Sequence, residues 1–279
     1  MNDVSLPPLD VRALLKKYGL QPSKGLGQNF LIDTHALQKI VAAAHLEPTD
    51  KVLEIGPGLG NLTRYLALSA SAVTVVELDQ DLIPALKTVI APYTNVHAIQ
   101  GDILELDPAE LMEGHSYVVV ANIPYYITSA VIRHVLEHEP KPTRIVLTVQ
   151  KEVAERICAE DGKMSLLALS VQVYGKPGIV AQIPSKAFYP APDVDSSVIR
   201  IEIYPQPVIP AKSLDTFFAT IKAGFSQKRK TLRNSLSAGL RMNPKESENL
   251  LASVGIDPRR RAETLNLVEW GKLVDKMQQ

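Results

Sequence analysis

Asn122-Ile123-Pro124-Tyr125 is the stretch whose residue types most directly imply a reaction. The Asn122 side-chain oxygen and the Ile123 backbone carbonyl can accept hydrogen bonds from one amino group, and the Tyr125 ring can stack on a flat base. Such a set suits the exocyclic amine of adenine, a poor nucleophile because its lone pair is delocalised into the ring. Drawing on its two hydrogens favours a tetrahedral nitrogen. Attack then needs orientation and electrostatic stabilisation more than a strong base. An electrophile must stand beside it, and a second stretch could hold one. Val52-Leu53-Glu54-Ile55-Gly56-Pro57-Gly58-Leu59-Gly60-Asn61 passes from apolar residues to an acid and then into three glycines at alternate positions. Backbone without side chains can come close to a ligand at the carboxyl end of a strand. A dinucleotide fingerprint starting at Gly56 would need glycine where Asn61 stands. Glu54, two residues before the first glycine, instead completes E-x-G-x-G-x-G, the pattern of a loop for S-adenosylmethionine.

These groups have to be positioned by the elements around them. Strands are expected at Val52–Ile55, Val73–Val76, Val96–Ile99, Tyr117–Ala121, Arg144–Val149, Leu166–Tyr174 and Ser197–Ile203. Helices lie between most of them, bearing Leu62 and Leu66, Leu82 and Leu86, Val131 and Val135, and Val153 and Ile157. Alternation of this kind specifies an α/β fold, a largely parallel sheet covered by helices on both sides. No helical pattern separates the last two strands, so the final one is expected to be antiparallel. Glu77, Asp102 and Asn122 each fall at or just beyond a strand end, so the parallel arrangement brings them to one edge beside the Gly56–Gly60 turn. Glu77 follows Gly56 by 21 residues, the place for an acid that accepts from ribose hydroxyls, and Asp102 suits the exocyclic amine of a cofactor's adenine. Ahead of the first strand come a short amphipathic lead-in ending at Gly19 and a Gly-punctuated loop, Lys24–Leu31. Asp33 is placed to cap the helix bearing Leu37, Ile40 and Val41.

Proline punctuation at Pro205-Gln206-Pro207 marks a border, giving an expected catalytic domain over 1–205 and a small all-helical domain over 206–279. Net charge is zero, but residues 206–279 hold 13 Lys+Arg against 7 Asp+Glu, an asymmetry that points to an anionic partner. Lys228, Arg229, Lys230 and Arg233 are placed near one turn of helix within the acid-free run 216–245, and Arg259-Arg260-Arg261 adds a second cluster. Beside a site for amino-group methylation these basic residues read as contacts to RNA phosphate. Apolar runs are strand-sized, so no membrane span is expected, and no export signal is evident. The single Cys158, read as a small buried residue on a helix, suits a reducing cytoplasm. His134 and His138 lie four apart but lack the glutamate of a zinc-protease pattern. No metal site is expected.

The chain resembles the ribosomal RNA adenine dimethyltransferase family, nearest its small-subunit (16S), KsgA-type branch. The likeness covers nearly the whole length. It rests on Gly25–Leu31, Glu54–Gly60, Glu77, Gly101-Asp102, Asn122–Tyr125 and Phe188–Val198. It implies a Rossmann-like class I methyltransferase sheet with a helical C-terminal domain for rRNA. It also implies S-adenosylmethionine as cofactor, bound by Asn29, Leu31, Gly56, Gly58, Glu77, Asp102 and Asn122. Catalysis would fall to Asn122, Pro124, Tyr125 and Phe188, with Phe188 facing Tyr125 across the target base. The implied reaction is dimethylation of the N6 of two adjacent adenosines near the 3′ end of 16S rRNA in the assembling 30S subunit. A cytoplasmic, monomeric enzyme with a part in subunit maturation follows. Three alternatives stay open: the Erm branch acting on 23S rRNA, a DNA adenine methyltransferase, and a non-catalytic assembly factor on the same fold. The Gly25–Gly27 stretch and the Phe188–Val198 loop favour the small-subunit branch.

Overall fold

The computed structural model describes residues 6–123 and 127–279. The chain opens with α1 (Val11–Tyr18), its first turn capped by Asp10 and its end turned by Gly19 in the left-handed region (φ 68°). β1 (Phe30–Leu31) leads into α2 (Thr34–Ala44), where the Asp33 carboxylate accepts from the Ala36 N–H at 2.8 Å. Strand and helix then alternate through β2 (Lys51–Ile55), α3 (Asn61–Ala67), β3 (Ala72–Glu77), α4 (Ile83–Ile90) and β4 (Val96–Gln100). The alternation continues with α5 (Pro108–Leu111), β5 (Val118–Asn122), α6 (Thr128–Glu137) and β6 (Arg144–Gln150). Two helices in succession, α7 (Lys151–Ile157) and α8 (Leu166–Gln172), precede β7 (Gly175–Ile183), β8 (Phe188–Tyr189) and β9 (Ser196–Ile203). The remainder is helical: α9 (Leu214–Phe225), α10 (Leu232–Leu240), α11 (Pro244–Ser253) and α12 (Leu267–Met277).

Seven strands form one sheet in the order β4-β3-β2-β5-β6-β9-β7. The pairs β3–β4, β2–β3, β2–β5 and β5–β6 are parallel, and β9 enters antiparallel to β6, as the sequence pattern predicts. Strand order reverses between β2 and β5, so a crevice opens there at the carboxyl ends of the strands. Val52, Val118, Val120 and Val146 are buried in the middle of the sheet, the continuous β-branched runs that a sheet covered on both faces requires. A separate two-stranded pairing joins β1 to β8, placing Leu31 opposite Phe188 and Phe30 opposite Tyr189.

One expected strand is a helix. Leu166–Tyr174 reads as strand from its apolar run, yet Leu166–Gln172 is α8, with the Ser165 hydroxyl accepting from the Ala168 N–H at 3.0 Å. A short apolar run carries no period of its own, so the serine cap and the Leu/Ala content decide. The strand falls instead on Gly175–Ile183, whose Gly175, Pro177 and Gly178 read as loop. It occupies the sheet edge, where a missing ladder donor is tolerated. Cys158 lies just past α7 and is half-buried rather than packed on the helix. Burial pushes its thiol up to about 11, so it stays protonated at neutral pH.

The chain divides into two compact units. The first holds the residues up to Ala154 together with Gly178–Ile203, and the second holds Glu155–Pro177 with Tyr204–Gln279. The expected border at 205 lies beside the third and last crossing, while Glu155–Pro177 packs with the C-terminal helices. Within the second unit α9 is central, touching α8, α10 and α12. Its Gly224 sits under the Trp270 ring, and Gly239 of α10 lies against Ala223. Among the described residues no helix is long and apolar enough to cross a membrane.

Candidate active site

The loop after β2 is built from backbone that only glycine adopts readily. Gly56, Gly58 and Gly60 have φ of 68°, 57° and 84°. A side chain at Gly58 would bring a Cβ to 3.0 Å from the Phe30 ring, so the turn also needs the space that glycine leaves. The Gly56 N–H donates to the Val76 carbonyl at 2.9 Å, which ties the turn to β3.

At the end of β3 the Glu77 carboxylate accepts from the Gly58 N–H through Oε2 and from the Asp79 N–H through Oε1, both at 2.9 Å. Burial raises its pKa, and these backbone donors pull against that rise. Glu54 is more extreme, at 1 % exposed. Burial pushes its carboxyl up to about 8, and the negative charge of Glu77 adds to the rise. The nearby Thr63 hydroxyl lowers it somewhat without being aligned for a full hydrogen bond, since Glu54 Oε2 and Thr63 Oγ1 both lack partners. A buried carboxyl oxygen with no partner is costly unless a ligand supplies one. Beyond β4, Asp102 Oδ1 accepts from the Leu104 N–H at 2.9 Å.

Over these strand ends runs the loop Ser23–Leu31, held by a chain of amides. Gln28 Oε1 accepts from the Ser23 N–H at 2.8 Å, and its Nε2 donates to Asp79 Oδ2 at 2.6 Å. Asn29 Nδ2 donates to the Gly27 carbonyl at 3.1 Å, and Asn61 Nδ2 to the Leu31 carbonyl at 2.6 Å. Asn122, the last residue of β5, donates from Nδ2 to the Asn29 carbonyl at 3.3 Å. With its nitrogen held there through one of two N–H groups, the amide has its oxygen left as an acceptor.

The result is a cleft of about 1110 Å³, its mouth included. Asn29, Leu31, Gly56, Gly58, Glu77, Asp102, Asn122 and Phe188 all line it, so the structure gathers eight of the expected site residues into one place. Phe188 is 3 % exposed, fixed by the β1–β8 pairing and packed into the core while its ring borders the cleft. Pro124 and Tyr125 lie outside the described residues. Glu54 and Gln28, which the sequence reading placed in motifs without naming them as ligands, also line it, as do Leu78 and Ile103, which it passed over. Leu78 and Ile103 directly follow Glu77 and Asp102, and that apolar successor to each strand-end acid is a signal for walls around a flat ring. The four basic residues stand elsewhere, in the second unit. Lys228, Arg229 and Lys230 are exposed on the turn after α9 rather than on a helix, and Arg233 lies in the first turn of α10.

A sequence model described as ribosomal RNA adenine dimethylase matches residues 20–279. The chain belongs to the ribosomal RNA adenine dimethylase family. Among relatives of this dimethylase, the ribosomal RNA small subunit methyltransferase A of Dehalococcoides mccartyi strain CBDB1 is 48% identical over 272 residues, covering 96% of this chain and 94% of its own. The protein of that name from Alkaliphilus metalliredigens is 40% identical, covering 99% and 98%. Of solved structures, a dimethyladenosine transferase from Plasmodium falciparum has a TM-score of 0.75 at 26% identity, covering 89% of this chain and 97% of its own. The 23S rRNA methyltransferase ErmE has 0.72 at 28%, covering 90% and 100%.

S-adenosylmethionine is the methyl donor of such a dimethylase, and the cleft's donor set fits it. Glu77 offers carboxylate oxygens where ribose hydroxyls would lie, the glycine turn leaves backbone bare, and the unpartnered Glu54 oxygen awaits a donor. The two histidines are engaged with backbone carbonyls. His134 Nε2 meets the Leu106 carbonyl at 2.8 Å and His138 Nδ1 the His134 carbonyl at 2.7 Å. No cluster of three metal-ligating side chains occurs among the described residues.

Proposed function

We propose that this dimethylase methylates the N6 of two adjacent adenosines near the 3′ end of 16S rRNA, in an assembling 30S subunit in the cytoplasm, and acts as a monomer. One observation carries the reading: Asn122 ends β5 at the reversal of strand order, in the same cleft as Glu77 and Asp102, with one amide N–H spent on Asn29. Bound S-adenosylmethionine supplies a methyl group on a cationic sulfur. Asn29, Leu31, Gly56, Gly58, Glu77 and Asp102 would hold it. The Asn122 oxygen and the Ile123 carbonyl would accept from the adenine amine, drawing on its two hydrogens and favouring a tetrahedral nitrogen. As the family resemblance implies, Pro124 and Tyr125 would complete the catalytic set, with the Tyr125 and Phe188 rings on the target base. Both strand-end acids stay free of the methyl transfer itself, so the proton released from nitrogen leaves by solvent. Residues 206–279 form an rRNA-binding domain, with Lys228, Arg229, Lys230 and Arg233 on phosphates.

The small-subunit target draws support from the name shared by relatives 40% to 48% identical. The likeness to ErmE supports the rival reading, a 23S rRNA target. Incubation with labelled S-adenosylmethionine and either unmethylated 30S particles or free 23S rRNA, followed by mass spectrometry of the nucleosides, separates them. Two dimethylated adenosines in 16S rRNA are expected. Label in 23S rRNA alone overturns the proposal. Asn122→Ala should lower methyl transfer by about 10²–10³-fold while particle binding persists, as for loss of one positioned polar group.

A further inference from the structure

Helix α1 and the loop that follows it reverse the charge of the region they belong to. Residues 1–205 hold 23 Asp+Glu against 17 Lys+Arg, yet residues 11–31 hold Arg12, Lys16, Lys17 and Lys24 and no acid. All four are exposed, and among the described residues none of them forms an ion pair. The other face of α1 is committed. Val11 and Leu15 are buried in a cluster with Phe30, Leu59 and Leu82, three residues that also line the cleft. The helix is therefore seated against residues of the cleft wall, and its cations are left exposed. Arg12 is the most constrained. Its guanidinium lies 4.6 Å from the centre of the Tyr189 ring, next in sequence to Phe188 in the cleft. Stacking of this kind limits the rotamers of arginine and leaves its in-plane N–H groups for an anion.

We propose that Arg12, Lys16, Lys17 and Lys24 form a second phosphate-binding surface, which holds the RNA backbone flanking the target adenosine at the mouth of the cleft. The inference rests on the proposed rRNA substrate. A basic amphipathic helix can also bind an anionic membrane, but that mode buries its apolar face in lipid, and here Val11 and Leu15 are already packed. The surface contributes to RNA affinity through release of counterions, with no part in holding the methyl donor.

The test compares the full chain with the variant R12Q/K16Q/K17Q/K24Q, and with K16Q/K17Q in case the first folds poorly. Binding to unmethylated 30S particles is measured across salt concentrations, and S-adenosylmethionine affinity by calorimetry. The slope of log K against log salt should become shallower by about 2–3 in the quadruple variant and by about 1–2 in the double. The KM for particles should rise, with kcat and donor affinity unchanged. An unchanged slope with intact donor binding overturns the proposal, as does donor affinity falling in step with RNA affinity. Binding of the wild-type chain to vesicles of anionic phospholipid that the substitutions abolish would reassign the surface to membrane and overturn it too. Failure of the substrate reading is distinguishable, because the wild-type chain would then leave 30S particles unmethylated.

Discussion

Two side-chain relationships in the cleft were not legible from residue type alone. Glu54 is recognisable as the acid of a glycine-rich turn, but its protonation depends on burial. Its folded pKa of about 8 lies above the ordinary value of 4.5. The unfolded chain therefore loses this proton from about pH 4.5 upward while the folded chain keeps it until about pH 8. Glu54 has no effect on stability below that window, costs progressively more through it, and costs a constant amount above it. Glu54→Gln should thus gain stability relative to wild type by an amount that grows between pH 5 and pH 8, reaching on the order of a few kcal/mol. Urea unfolding at several pH values measures this, and a difference that does not vary with pH would contradict it. The Gln28–Asp79 hydrogen bond is the second relationship. Gln28→Glu sets two carboxylates at the 2.6 Å contact, and Asp79→Asn sets two amide N–H groups there. The double variant restores one donor and one acceptor with the direction reversed, and it keeps the acceptors for the Ser23 and Asp81 N–H groups. Each single change should weaken S-adenosylmethionine binding about tenfold, and the pair should recover most of it. Additive losses in calorimetry would mean that this contact does not hold the loop closed.

Elements were legible where period and punctuation agree. The strands ending at Ile55, Glu77 and Asn122 are apolar runs bounded by breakers, and each falls within a residue or two of its expected place. α11 carries a capping box, Asn243 with Glu246, that the reading passed over. α8 shows the opposite case, an apolar run without a period, where the fold chose helix and moved the edge strand into Gly/Pro-rich sequence. Helix contacts in the second unit are set by absent side chains rather than present ones. A Cβ at Gly239 would stand 2.6 Å from the Ala223 Cα, and one at Gly224 would stand 2.4 Å from the Trp270 ring. Neither backbone nor a buried indole yields easily. Gly239→Ala and Gly224→Ala should each destabilise the protein by about 1–3 kcal/mol. A lower midpoint of urea unfolding, with methyl transfer retained at low temperature, is the expected outcome. Unchanged midpoints would show that the helices can move apart at no cost.

At the scale of the whole molecule, the neutral total charge conceals a division of labour between a mildly acidic first part and a basic C-terminal end. Lys228, Arg229 and Lys230 are exposed and form no ion pair among the described residues, whereas Arg233 stands 3.5 Å from Glu248. Neutralising all four should therefore reduce the salt slope of rRNA binding by about 3 rather than the full count. A slope that does not move would remove these residues from the interface. The sequence by itself determined the parallel sheet, the bare glycine turn and the alignment of Glu77, Asp102 and Asn122. Each of these follows from local periodicity and from parallel strands ending on one edge. Tertiary structure alone decided what lies over that edge. The β1–β8 pairing, the donation from Asn122 to a carbonyl 93 residues away and the proton on Glu54 depend on which distant segments meet. Local pattern encodes the direction of a strand and the face of a helix. Desolvation and long-range pairing exist only once the chain has closed around the site.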